Sequence, residues 1–147
     1  MRRYFEQNVP ELVVNLYCLD RLVEMFLPKL FSHFKEERVS PVMFASEWFT
    51  TLFGYTFPIS FTKRVWTKFF SVGKLYLFRV AMAILKILEK RILKLPFEKV
   101  VVMLKSPPVE AKQVMEKAER FGSITEEMYR GLAREADAHQ KMDHLLC

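Results

Sequence analysis

EWFTTLFGYTFPISFTKRVWTKFFSVGKLYLFRVAMAILKILEKRILKL, residues Glu47 to Leu95, is the stretch on which the fold turns. It holds both tryptophans, and its apolar residues recur at helical spacing between glycine and proline interruptions, so it reads as helix, turn, helix, turn and long helix. A first helix is expected from about Pro41 to Phe53, where Gly54 supplies a stop. Pro58 and Ser60 restart the chain into a helix ending near Ser71, and Gly73 breaks it again. From Leu75 to about Leu95 apolar side chains fall on nearly every face, as in a helix surrounded by others, with Lys86, Lys90 and Lys94 aligned one turn apart. The run from Leu75 to Leu88 is interrupted by Arg79 and Lys86 and is shorter than the roughly 20 residues a bilayer crossing needs. A core helix, with no transmembrane segment, is the expectation.

Upstream, Met1 to Asn8 reads as a polar lead-in. Pro10 suits the first turn of a helix and Glu11 complements its dipole. Leu12, Leu16, Leu19, Val23, Phe26, Leu27, Leu30, Phe31 and Phe34 then step by threes and fours, an amphipathic helix expected to bend or break at Pro28. Lys35 to Arg38 reads as its solvated end, and Ser40-Pro41 as an N-cap with proline at the first helical position. Downstream, Pro96 closes the long helix, Phe97 to Lys105 makes a short amphipathic one, and Pro107-Pro108 is the clearest linker signal.

Beyond those prolines the sequence turns charged and alanine-rich. Val109 to Phe121 and Ile124 to Leu145 read as a helical hairpin with a narrow apolar stripe that includes Val114, Ala118, Met128, Leu132 and Ala136. Ser123 and Glu126 have the spacing of a capping box, and Glu116–Arg120 and Glu126–Arg130 that of favourable ion pairs. The hairpin is expected to pack back on the preceding helices or to offer its stripe to a partner. The chain therefore divides into residues 1–106 and a helical tail, 107–147, in an all-α protein.

Composition narrows the chemistry. Half of the 147 residues are hydrophobic (51%) and only four are glycine, which suits a helical core and leaves no phosphate-cradling loop. Cys18 and Cys147 form neither a disulfide framework nor a zinc set, so a reducing compartment is expected. Glu6, Gln7, Asn8 and Glu11 follow Arg2 and Arg3 before any long apolar run, which is wrong for a signal peptide. His139 and His144 are five residues apart and diverge around a helix, Asp143 notwithstanding, and His33 stands alone; no metal and no cofactor is expected. The net charge of +6 is compatible with an anionic partner, but the charges are spread along the chain, and specific nucleic-acid binding is not expected. Trp48 and Trp66, with Phe49, Phe53, Phe69 and Phe70, form aromatic stripes at helical spacing, more often core than a base-stacking platform.

A resemblance carries the rest. Trp48-Phe49, Leu52-Phe53, Phe57-Pro58, Arg64-Val65-Trp66, Gly73, Leu77-Phe78-Arg79 and Ala81, in this order and spacing, resemble the C-terminal half of the TBC domain, the helical domain of Rab GTPase-activating proteins. The likeness covers roughly Tyr4 to Leu104, includes Leu27-Pro28-Lys29-Leu30, and is strongest from Trp48 to Ala83. It implies a fold like the C-terminal subdomain of that domain and a Rab-type small GTPase as partner. Trp48, Phe49, Arg64, Trp66, Gly73, Phe78 and Arg79 are implied to be motif residues of structural role. In the family an R-x-W-D motif pairs its arginine with the acid; here the acidic position is Thr67, which leaves Arg64 unpaired or free to stack on Trp66.

The family's activity is implied to rest on an arginine from I-x-x-D-x-x-R and a glutamine from Y-x-Q, which enter the GTPase's nucleotide site. Asp20, Asp137 and Asp143 have no arginine three residues on, and Gln7 lies three residues after Tyr4 rather than two, so no catalytic residue is assigned. The chain is accordingly expected to be no enzyme in itself but a regulator of Rab-type GTPases in vesicle trafficking. It is placed in the cytoplasm or peripherally on endomembranes, with an exposed half-domain face open to homo- or hetero-association. The alternatives are a stand-alone helical interaction module, or a basic helical protein that contacts acidic membrane or RNA through Lys86, Lys90 and Lys94.

Overall fold

A computed structural model describes the backbone of residues 10–54 and 57–146 and the side chains of these up to His139. The expectations for Met1–Asn8 and for Asp143, His144 and Cys147 lie outside the described side chains. Eight α-helices and no strand are found among the described residues: α1 (Glu11–Phe26), α2 (Pro28–Glu37), α3 (Ala45–Thr50), α4 (Ile59–Val72), α5 (Leu75–Ile92), α6 (Phe97–Lys105), α7 (Ala111–Glu119) and α8 (Glu126–Leu146). A 3₁₀ turn, Pro41–Met43, precedes α3.

The long helix is central. Tyr76, Leu77, Phe78, every residue from Val80 to Leu85, Leu88 and Ile92 of α5 are buried, because α1, α4 and α7 pack around it. Fully burying one large aliphatic or aromatic side chain is worth about 1.5–3 kcal/mol, so this helix alone supplies a large share of the driving force. The tail packs back on the preceding helices. Helix α7 lies against α4 and α5, and α8 lies along α1; Val114, Ala118, Phe121, Ile124 and Leu132 belong to the same hydrophobic core as Leu19 and Trp48.

The break expected at Pro28 is present: Leu27 leaves the helical region (φ −133°, ψ 64°) and Pro28 opens α2. Three other local expectations are corrected. Pro41 starts only a 3₁₀ turn, and Ser40 makes no side-chain cap. Helix α3 then ends well before Gly54. Its stop is made by Leu52 and Phe53, both at positive φ (52° and 66°): the Phe53 N–H donates to the Trp48 carbonyl at 2.7 Å and the Leu52 N–H to that of Phe49 at 3.3 Å. This is the paired-bond terminus that usually uses glycine, built here with leucine. The cap of α8, finally, is Thr125 rather than Ser123, since the Thr125 hydroxyl accepts from the Met128 N–H at 3.2 Å.

Candidate functional site

Trp48, Phe49 and Phe78 meet in the interior. The Trp48 ring lies 5.0 Å from Phe44 and 5.6 Å from Phe53, and its indole N–H donates to the Leu104 carbonyl at 3.2 Å, tying α3 to the end of α6. Phe49 lies tilted against Phe78 with ring centres 5.3 Å apart, and Phe78 in turn lies 5.5 Å from Tyr129 of the tail. Edge and tilted contacts of this kind add about 0.5–1.5 kcal/mol beyond burial. Trp48, Phe49 and Phe78 are all buried.

Trp66 is half-buried against the stop of α3. Its indole N–H donates to the Leu52 carbonyl at 3.0 Å, satisfying a group the helix end left free. Gly54 lies under the same ring: a Cβ there would sit 2.9 Å from the Thr51 carbonyl oxygen and 3.4 Å from the Trp66 ring. Gly73 adopts φ 101°, a conformation that favours glycine, where α4 hands over to α5.

Of the two motif arginines, one is interior and one is not. Arg79 donates through Nη2 to the Ile124 carbonyl at 2.9 Å, pinning the turn between α7 and α8 onto α5, while its buried Nε has no partner among the described residues. Arg64 is exposed on α4, makes no ion pair and lies over no ring among the described residues. The Thr67 hydroxyl turns back to the Lys63 carbonyl at 2.9 Å. Two residues apart on a helix, Arg64 and Trp66 face different ways, which is why they do not stack.

Several positioning residues had no signature in the sequence. Lys74 pairs with Glu11 at 2.8 Å and donates to the Tyr129 hydroxyl at 3.0 Å, which donates to Asn15 Oδ1 at 3.1 Å. Burial opposes the charge of Lys74, but its bonds to Glu11 and Tyr129 outweigh that and raise its pKa above the usual lysine value. On the neighbouring turns Glu135 of α8 accepts from Arg21 at 2.9 Å and Tyr17 at 3.0 Å. Those bonds, Arg21's first, hold its carboxyl below the usual range. Tyr129 alone was within reach of pattern reasoning, one residue from Met128 on the tail's apolar stripe. His33 donates through Nε2 to the Leu95 carbonyl at 2.8 Å, an ordinary structural histidine. Glu37, expected in a solvated helix end, accepts from the Phe97 N–H at 2.9 Å and so caps α6.

Helix α4 exposes Ile59, Lys63, Arg64, Lys68 and Phe70, while Phe61, Thr62 and Val65 are buried. No cluster of three metal-ligating side chains and no helix long and apolar enough to cross a membrane is found among the described residues.

Residues 1–93 match the family described as Rab-GTPase-TBC domain. The chain is 30% identical over 146 residues to mouse (Mus musculus) TBC1 domain family member 4, a match covering 99% of this chain and 11% of that protein. It is 33% identical to the GTPase-activating protein GYP5 of Saccharomyces cerevisiae over 71% of this chain and 12% of that one. To the mouse ecotropic viral integration site 5 protein it is 33% identical over 67% of this chain and 12% of that one. The chain thus spans about a tenth of the length of these relatives. The expectation that the chain is no enzyme is corrected by these matches, because a relative aligned over most of it is by name a GTPase-activating protein.

Proposed function

This chain belongs to the Rab-GTPase-TBC domain family, and from that premise we propose that it regulates Rab-type small GTPases in vesicle trafficking, as a section of a GTPase-activating domain. The observation that carries the reading is the family match across residues 1–93, which takes in α1 to α5. The geometry supports it: a core centred on α5 and fastened by Trp48, Trp66 and Arg79 holds its outer helices rigidly enough to present a surface to a folded partner. Trp48, Phe49, Phe78 and Arg79 act in this reading by fixing α3, α5 and the α7–α8 turn relative to each other. A place on the cytoplasmic side of endomembranes follows from the partner.

The test is binding of the full chain to a panel of purified Rab proteins loaded with GTP or GDP. Hydrolysis is followed in the same samples to show whether docking also accelerates the chemistry. Saturable binding that favours the GTP form of at least one Rab is expected. A panel in which no Rab binds and none hydrolyses faster refutes the proposal.

A further inference from the structure

Helix α6 lies beyond residue 93, where the family match ends, and its apolar side chains are only partly covered. Val100 and Leu104 are buried, whereas Val102 is 69% exposed. A groove of about 510 Å³ runs beside the helix, with apolar walls from Leu95, Val102, Met103 and Pro108 and with Glu98 and Lys99 also in its lining. These residues recur along the whole of α6, nine residues and so about 13 Å, which gives the groove the length of two to three helical turns. Both ends of α6 are fastened, the Phe97 N–H donating to Glu37 and the Leu104 carbonyl accepting from the Trp48 indole, so this wall is preformed. The charge around it is one-sided. From Lys90 to Ser106 the sequence has five cations, Lys90, Arg91, Lys94, Lys99 and Lys105, against one acid, Glu98. All five are exposed, and none makes an ion pair among the described residues. Lys99 lines the groove itself, Lys94 is next in sequence to Leu95, and Lys105 follows Met103 by two residues.

We propose that this groove docks an acidic amphipathic helix of a partner protein, its apolar side chains entering between Leu95, Val102 and Met103 and its carboxylates meeting Lys94, Lys99 and Lys105. Helix-in-groove recognition uses an apolar trough into which side chains one turn apart insert, and charge at the rim selects the sign of the partner. Leu95 and Met103 are half-buried, so they are reached by a side chain that protrudes into the groove, as a helix provides and a flat headgroup layer does not. A second copy of this chain is the poorer occupant, because two-fold pairing of this surface sets its cations against the same cations. The groove lies outside the residues matched to the family, so it adds a contact to the Rab-directed reading and does not rest on it.

The test is selection of phage-displayed random peptides, about 16 residues long and so some four helical turns, on the full chain with no GTPase present. The most enriched peptide is then synthesised, labelled and titrated by fluorescence anisotropy. Enriched sequences are expected to carry apolar residues at helical spacing with an excess of aspartate and glutamate, and their binding to weaken with salt. Val102→Asp and Lys94→Glu/Lys99→Glu each lose about tenfold or more in affinity, whereas Lys63→Glu/Lys68→Glu on α4 loses about threefold or less. Circular dichroism establishes that each variant is folded; the substituted side chains are exposed. Three results overturn the proposal: no peptide is enriched, the enriched peptides have no acidic excess, or the groove variants bind as the parent does. If a failed selection accompanies pelleting of the parent with phosphatidylserine vesicles that Lys94→Glu/Lys99→Glu abolishes, the surface belongs to lipid instead. Because peptide binding is read without GTPase, its failure leaves the Rab proposal standing, and the reverse.

Discussion

Replacing Gly54 by alanine puts a methyl group 2.9 Å from the Thr51 carbonyl oxygen, closer than real Cβ atoms approach, and 3.4 Å from the Trp66 ring. The obstructing atom is backbone, and it is engaged: the Gly54 N–H donates to that same carbonyl at 2.8 Å. Relief therefore requires the turn after α3 to move by about half an ångström. That turn already holds Leu52 and Phe53 at positive φ, and its Leu52 carbonyl receives the Trp66 indole N–H. Overpacking of this kind costs about 1–3 kcal/mol, and weakening the Trp66 hydrogen bond adds about 1 kcal/mol. The expected loss is about 2–4 kcal/mol, seen in urea unfolding as a midpoint lowered by about 1 M or more. Gly131→Ala is the matched control. An added Cβ there meets nothing within 4 Å, and alanine inside α8 gains about 0.5–1 kcal/mol over glycine. The reasoning is refuted if Gly54→Ala unfolds at the parent's midpoint, or if Gly131→Ala is the less stable of the two.

The Glu135 carboxyl is lowered by Arg21 and Tyr17, so it stabilises the fold above its ordinary pKa, and that contribution is lost as pH falls through its depressed native value. Glu135→Gln is thus expected to cost at most about 0.5 kcal/mol at neutral pH, the site being half exposed, with the difference from the parent vanishing in acid; urea titrations at several pH values check it. Asp20 has the opposite sign: burial, only partly offset by Lys35, raises its pKa, so Asp20→Asn is expected to melt at or above the parent's temperature at neutral pH and to lose that advantage in acid. Burial pushes the Cys18 thiol up to about 12, so in a Cys147→Ser background iodoacetamide at pH 8 is expected to label the denatured chain and to spare the native one, as read by mass spectrometry. Removing residues 107–147 takes Val114, Ala118 and Ile124 from the core, and loss of a cooperative urea transition is expected; an unchanged midpoint would show that the tail is dispensable.

What the sequence made legible was whatever is local and periodic. The apolar circumference of Leu75 to Ile92 identified the central helix, Pro96 and Lys105 bounded α6, and Val114, Ala118, Leu132 and Ala136 identified the inner side of the tail. Misreadings fell where tertiary contact overrode propensity. Leucine at a position that ordinarily selects glycine carries no turn signal, yet Trp66, fourteen residues away in sequence, supplies a donor that helps hold it. The glutamate in Ser123-x-x-Glu126 suggested a capping box, whereas a two-residue difference in where α8 begins made Thr125 the cap. Lys74 with Glu11, and Arg21 with Glu135, are joined only by the packing of distant helices, so no spacing rule could have found them. Of the aromatic residues read as core from their pattern, Trp48, Phe49 and Phe53 are buried, Trp66 and Phe69 are half-buried, and Phe70 is exposed. That Arg64 is exposed while Arg79 is tied to the tail needed coordinates.

The Tyr17–Glu135 bond joins side chains 118 positions apart in the chain, and the two helices it joins are the first and last described. A ribosome adds about 5–20 residues per second, so α1 is out for roughly 6–24 s before its partner helix is made. Throughout that interval Leu19, Leu22 and Val23, buried in the finished fold, await part of their cover. Helical proteins mostly fold fast because their contacts are near neighbours. Here the first and last described helices pack together, which makes α1 a segment in need of a chaperone until α8 is made.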